Sequence, residues 1–234
     1  MPSFIPEHCV TLSRAIPPNI CEEIIEIGQN SYNEYGQIGG SNNGIEDHGT
    51  RKSGVAWLDR DATLQDGLTI FDHIIPHVRK VNEDYFKFDL SYHETYQFTS
   101  YKHDPNAPEF YSWHCDGHFE PYNEEDCKDD PNKDERLNTY RKLSYSVNLT
   151  HPDKYEGGHF EWTDPFQQNP QTMTPDNIKF RAQQNAREQG SIIIFPSFVY
   201  HQVTPVTRGL RQSLVGWIAA VSYTHLTLPT TRCV

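Results

Sequence analysis

His114, Asp116 and His201 are the residues whose types and spacing point to chemistry. In residues 111–118 (YSWHCDGH) an imidazole and a carboxylate stand two positions apart. Successive side chains of an extended strand point to opposite faces, so His114 and Asp116 are expected on the same face. Together they can grip one metal ion. A third ligand must come from elsewhere, and His201, at the end of residues 190–201 (GSIIIFPSFVYH), is the best candidate. Two imidazoles and one carboxylate on one face of an iron leave the opposite positions open to small molecules. The chain holds 12 histidines, so a lone His-x-Asp is weak. A second one, His151-Pro152-Asp153, precedes a Tyr-Glu-Gly-Gly turn at 155–158. Its proline opposes a central strand, and two side chains in a turn have no reason to share a face.

The elements that must position these residues show in the hydrophobic pattern. Residues 17–28 read as an amphipathic helix with Ile20, Ile24 and Ile27 on one stripe. Gly36 to Gly49 reads as a loop, and Ser53 to Leu58 as a strand. Asp61 is placed to cap a second helix, with Leu64, Leu68, Phe71 and Ile75 on its apolar face. Pro76 is expected to kink or divide it. From Glu94 onward short strands take over, at 95–101, 142–149, 159–162, 191–195, 201–205 and 212–219. Short strands with turns between them predict a β-sandwich or jelly roll with the helices packed outside. Two polar insertions interrupt it. Residues 120–141 hold eight carboxylates against four basic residues, and 169–189 are amide-rich and expected to be partly helical. Both read as solvated loops, or as a lid or substrate wall.

Composition narrows the class. At 234 residues the chain can bury a sizeable core in one domain. No apolar run approaches membrane-spanning length. The first residues lack the basic-then-apolar pattern of a secretory signal. The five cysteines show no paired spacing, so free thiols and a cytoplasmic setting are expected. A formal charge of -12 argues against a protein that grips nucleic acid.

The segment 190–217 (GSIIIFPSFVYHQVTPVTRGLRQSLVGW) closely resembles the C-terminal core of Fe(II)/2-oxoglutarate-dependent dioxygenases. The nearest branch is prolyl-4-hydroxylase-like and includes PKHD-type hydroxylases. The resemblance runs from about Tyr96 to Trp217 and takes in Tyr101, the His114–Asp116 motif and the Glu-Gly-Gly turn at 156–158. It implies a mainly β double-stranded β-helix (jelly roll, cupin-like) with flanking helices. Iron would be held by His114, Asp116 and His201. The far carboxylate of 2-oxoglutarate would meet Arg211, aided by Ser213 and Tyr101, since a guanidinium fork suits a carboxylate. Dioxygen, and ascorbate as a reductant, are implied as well. The implied reaction is oxidative decarboxylation of 2-oxoglutarate to succinate and carbon dioxide, coupled to hydroxylation of a C–H bond. A peptidyl prolyl-like residue or a small amino acid is the implied substrate.

Two departures stand out. The family's turn usually continues Gly-Gly-Glu, where this chain has His159, read as an exposed strand residue. A tyrosine common near Leu149 is replaced by Asn148, so contacts to the cosubstrate's far carboxylate are expected to differ. Trp217 stands where AlkB-type demethylases carry a second arginine, and Asp116 where related halogenases carry Ala or Gly. A catalytically silent β-sandwich binding module is the alternative of a different class. Residues 1–93 are assigned to helical and strand support and 94–220 to the dioxygenase core. Residues 221–230 match the translation of a sequencing-library adaptor, and 221–234 are expected to be a non-native tail.

Overall fold

A computed structural model of the chain describes residues 9–31, 34–35, 49–117, 120–128, 130, 132–163, 180–182 and 185–221. Its first half holds β1 (Val10–Leu12), α1 (Pro18–Asn30), β2 (Glu34–Tyr35), β3 (Arg51–Lys52), β4 (Gly54–Leu58), α2 (Ile70–Val81), β5 (Tyr92–His93), β6 (Tyr96–Lys102) and β7 (Phe110–His114). There follow α3 (Lys133–Arg136), β8 (Thr139–Asn148), β9 (Tyr155–Gly157), β10 (Phe160–Thr163), β11 (Phe180–Ala182), β12 (Ile192–Pro196), β13 (His201–Val203) and β14 (Val206–Val221). A nine-stranded sheet runs β1-β12-β8-β14-β6-β4-β2, with β5 and β9 also paired to β14. A five-stranded sheet runs β11-β10-β13-β7-β3.

Strand alternation gives the large sheet two different faces. On β6, Tyr96 and Phe98 join the apolar core, together with Ile20, Ile24, Ile74 and Val78 of the two long helices. The intervening Gln97, Thr99 and Tyr101 point the other way and are also buried. β14 repeats the pattern, with Leu214 and Ile218 in the helical core and Arg211 and Ser213 on the alternate face. Phe160 and Trp162 of the small sheet meet Ile193 and Phe195 of the large one in a second cluster. Helices therefore cover one face of the large sheet, and the small sheet covers the other. This is the double-stranded β-helix with external helices expected from the sequence. Between the sheets that apolar cluster lies beside buried polar side chains, among them Gln97, Thr99, Arg211 and Ser213.

Helix α1 lies close on β6 because Gly28 has no side chain. A Cβ there would stand 2.5 Å from the Phe98 ring. The expected start of the second helix is corrected: Thr69, not Asp61, caps α2, in a reciprocal box with Asp72. Residues 61–69 turn instead. Asp59 and Asp66 carboxylates accept the amides two residues on, and Gly67 adopts φ +84°. Leu68 is consequently exposed, whereas Leu64 is buried. Pro76 sits inside α2 without dividing it. The predicted loop at 36–49 lies outside the described residues except for Gly49. Most of the 169–189 insertion also lies outside them, and its described part holds β11 and one 3-10 turn, not an α-helix. Val221 is the last residue of β14, paired to Thr139; the rest of the suspected tail lies outside the described residues. No helix among the described residues is long and apolar enough to cross a membrane.

One buried group makes the core acid-sensitive. His93, 6% exposed, meets the Tyr145 hydroxyl through Nε2 and packs on Tyr96 and Phe71. Burial pushes its pKa down from 6.5 to about 4. Between those values the unfolded chain binds the proton that the folded one refuses, so stability falls as pH drops through that window. At roughly 1.4 kcal/mol per pH unit the loss is on the order of 3 kcal/mol. Urea unfolding at pH 7 and pH 4.5 should show it in the native chain. His93→Gln should flatten that limb; an undiminished slope would place the sensitivity elsewhere.

Candidate metal centre

His114 and His201 are cross-strand partners. β13 pairs antiparallel to β7 with His201 opposite His114, and the ring centroids lie 4.2 Å apart. Each ring is oriented through Nδ1. His114 Nδ1 donates to the Ser112 carbonyl at 2.7 Å, and His201 Nδ1 to that of Val199 at 3.0 Å. Those bonds fix the tautomer and leave the Nε2 lone pairs for a metal. Tyr111 stacks on His114 at 3.5 Å. Phe160 and Phe195 hold His201 at 5.3 and 4.6 Å.

The expectation that His114 and Asp116 share a strand face needs correction. β7 ends at His114, and Asp116 lies in the bend beyond it. A hydrogen bond from the Gly117 amide to the Ser197 carbonyl, 2.7 Å, turns the chain there. Asp116 still arrives between the imidazoles, with Oδ1 3.8 Å from His114 Nε2 and Oδ2 3.7 Å from His201 Nε2. One ligand atom from each of the three residues lies within 4.8 Å of the others. The second pair, His151 and Asp153, caps a short turn with exposed side chains.

The set fits a divalent metal. Asp116 Oδ2 is buried, and among the described residues it makes no hydrogen bond, a costly state for a carboxylate without a cation. Burial works against the Asp116 carboxylate, but His201, His114 and Arg141 outweigh it and its pKa is lowered. Burial, then His201, pushes His114 down to about 3. Asp116 and His114 are thus in metal-binding protonation states near neutral pH.

Arg211, Ser213 and Tyr101 lie buried on one face of the large sheet, and Tyr101 is within electrostatic reach of Asp116. Arg211 pairs across the sheet with Tyr101, and its guanidinium carbon lies 5.6 Å from that ring. Arg211 Nη1 donates to Ser213 Oγ at 3.2 Å, leaving the serine proton available to a ligand. Burial raises the Tyr101 pKa, so the phenol stays a donor. Gly158, at φ +58°, passes the arginine arm: a Cβ there would lie 2.8 Å from Arg211 Cδ. Asn148 points elsewhere. Its amide donates to the carbonyls of Thr150 and Arg187 and accepts from the Tyr155 hydroxyl.

Sequence reasoning missed a second layer. Arg141 makes two bonds to the buried Glu94, at 2.7 and 2.6 Å, and lies 4.1 Å over Trp217. Arg51, 5% exposed, bonds Gln97 and Ser53 and stacks on Tyr111 at 4.6 Å. The available signal was a charged residue entering or following each aromatic strand. The 120–141 insertion is no free loop either: its Tyr122 hydroxyl bonds Glu94 at 2.7 Å, and Cys127 is fully buried.

Comparison with known proteins bears on this arrangement. Residues 96–219, the part that builds the chamber, match the model of the 2OG-Fe(II) oxygenase superfamily. The chain belongs to this superfamily. A PKHD-type hydroxylase of Hyphomonas neptunium is 38% identical over 85 residues, which are 36% of this chain and 31% of that protein. One from Synechococcus sp. CC9605 is 32% identical over 113 residues, 48% of this chain and 38% of the relative. The match thus spans only about a third of the length of these curated relatives. Among solved structures, a Pseudomonas putida prolyl-4-hydroxylase superposes with a TM-score of 0.62 at 15% identity, covering 91% of this chain and 93% of that one. A viral collagen prolyl hydroxylase of Paramecium bursaria Chlorella virus-1, in complex with 2OG, gives 0.56 at 17% identity, covering 92% and 97%. At such identities the likeness establishes the shared fold.

Proposed function

We propose that this superfamily member is an Fe(II)- and 2-oxoglutarate-dependent dioxygenase that hydroxylates a C–H bond in a peptidyl, prolyl-like residue or a small amino acid. The observation that carries the reading is the meeting of His114, Asp116 and His201, with Arg211 buried on the large sheet. Ferrous iron, when held by these residues, would supply the oxygen chemistry that couples decarboxylation of 2-oxoglutarate to hydroxylation. The chain's own residues do the rest. His114, Asp116 and His201 hold the metal, and the Ser112 and Val199 carbonyls lock the imidazoles in the binding tautomer. Arg211 receives the far carboxylate of the cosubstrate, with Ser213 and Tyr101 as hydroxyl donors. The aromatic wall of Tyr111, Phe160 and Phe195 keeps water from the reacting face. Cys9, Cys21, Cys115 and Cys127 are free thiols, which suits a reducing, cytoplasmic setting. A Trichoplax adhaerens prolyl hydroxylase solved with a hypoxia-inducible-factor peptide fragment shares the fold at a TM-score of 0.59 and 13% identity, covering 90% of this chain and 83% of that one. That likeness makes peptides the first substrates to screen.

Succinate release from 2-oxoglutarate that needs added iron tests the reading, and its absence would favour the silent binding module. Arg211→Ala tests the cosubstrate anchor. Truncating one partner of a buried, charge-assisted pair costs roughly 2–5 kcal/mol, and about 1.4 kcal/mol is tenfold. The 2-oxoglutarate constant should therefore rise about thirtyfold or more while metal content holds. Arg211→Lys should recover only part, since an ammonium keeps the charge without the fork. An unchanged constant in Arg211→Ala would assign the anchor to another cation.

A further inference from the structure

At the Gly157 turn lies an open cavity of about 730 Å³, lined by Arg187, His159, Thr204, Pro205, Thr207 and Glu156. We propose that its wall of Arg187, His159, Thr204 and Thr207 is a binding site for a small oxyanion, a carboxylate or a phosphate, separate from the metal chamber. Arg187 is fixed by its surroundings. Nη1 donates to the Gly157 carbonyl at 2.5 Å and Nη2 to that of Tyr155 at 3.2 Å, and the guanidinium lies 4.4 Å over the Tyr155 ring. Among the described residues it meets no carboxylate. The nearby acids are engaged by other partners: Glu156 by Arg208 at 2.8 Å, Glu188 by Arg14 at 2.8 Å, and Glu161 by Gln202 at 2.7 Å.

A second basic side chain stands against this cation. His159 Nδ1 lies 3.5 Å from Arg187 Nη1. A guanidinium only donates, so Nδ1 is the acceptor and Nε2 carries a proton that the ring can give. Thr204 Oγ accepts the His159 amide at 2.8 Å, which leaves its own proton to donate. Burial, then Arg187, lowers the His159 pKa against the opposing pull of Glu161, so the ring is a neutral donor beside the cation. The fixed charge of Arg187 attracts an anion, and the uncharged donors around it complete the seat. A fixed guanidinium, an imidazole N–H and two hydroxyls are the donors an oxyanion takes.

The test is calorimetric titration of the full chain with inorganic phosphate and, separately, with acetate. One saturable site is expected for at least one of them. Arg187→Gln should weaken it tenfold or more, and His159→Phe and Thr204→Val should each weaken it measurably. The last two leave the Arg187 clamp in place and decide the matter if Arg187→Gln does not fold. Arg211→Ala should leave the site intact. Binding of phosphate alone assigns a phosphate ligand, and binding of acetate assigns a carboxylate. No saturable binding, native affinity in both His159→Phe and Thr204→Val, or loss only in Arg211→Ala would overturn the proposal. None of these readings depends on turnover, so they stand apart from the fate of the proposed reaction.

Discussion

Asp116→Ala is expected to abolish tight metal binding and turnover without costing the fold. Removing a residue that merely orients a ligand costs about 10- to 100-fold in metal affinity, so removing a ligand should exceed roughly a hundredfold. The cost to stability should be small. Oδ2 of Asp116 is buried without a hydrogen bond among the described residues, which is unfavourable, but the charges around the carboxylate outweigh that burial and lower its pKa, so the fold favours the charged form. The metal-free variant should therefore melt slightly below the metal-free native chain. His114→Ala and His201→Ala should also lose the metal, but His201 packs between Phe160 and Phe195, so its loss opens a cavity and should lower the melting temperature. His151→Ala and Asp153→Ala should keep native metal content, because that pair is exposed on a turn. Metal analysis after dialysis, alongside thermal melts, decides this. Native metal content in Asp116→Ala would sink the ligand assignment.

The three candidate ligands could be picked from the sequence, but the geometry that joins them could not. Alternation predicted a shared face for His114 and Asp116, whereas the strand stops at His114 and the Gly117–Ser197 bond carries Asp116 into place. A contact between residues 80 apart leaves no local periodicity to read. The pairing of His201 with His114 is likewise a matter of sheet register. Arg211 and Ser213 were readable because two residues on one strand keep their face wherever the strand goes. The start of α2 was misread because Asp61 and Thr69 are both good caps. Only the left-handed turn at Gly67 selects the second. The 120–141 insertion was misread for a different reason. Its charges looked solvated one by one, and several pair within the segment, as Arg136 does with Asp130 at 3.0 Å. Its Tyr122 and Cys127 reach the core only because Glu94, far off in the sequence, waits there.

Glu94 carries the second large prediction: Glu94→Gln should destabilise the chain by about 3–5 kcal/mol, as breaking a buried ion pair from one side does. Glu94 is 5% exposed. Its carboxylate takes both Arg141 bonds and the Tyr122 hydroxyl, and Arg136 stands 4.0 Å away. Glutamine keeps the shape but takes from the Arg141 guanidinium, 15% exposed, its bonded counter-charge. At roughly 2–4 °C per kcal/mol for a chain of this size, the melting temperature should fall on the order of 10 °C. Tyr122→Phe, which removes one hydroxyl bond to a charge, should cost less, about 1.5–3 kcal/mol. The apolar pair Glu94→Leu with Arg141→Met should regain most of the loss, since neither charge then remains buried. The acid limb offers an independent check. Burial pushes the Glu94 carboxyl up, but Arg141 and Arg136 outweigh it, so its pKa lies below 4.5. A depressed carboxylate gives its full stabilisation above 4.5 and loses it as pH falls through the folded value. Glu94→Gln should therefore flatten the Glu94 contribution below about pH 4.5, while the His93 limb remains and reaches to lower pH, because the Glu94 charge raises the His93 pKa. A melting temperature within about 2 °C of the native chain, with the low-pH limb unchanged, would mean that the insertion is held by something other than this pair.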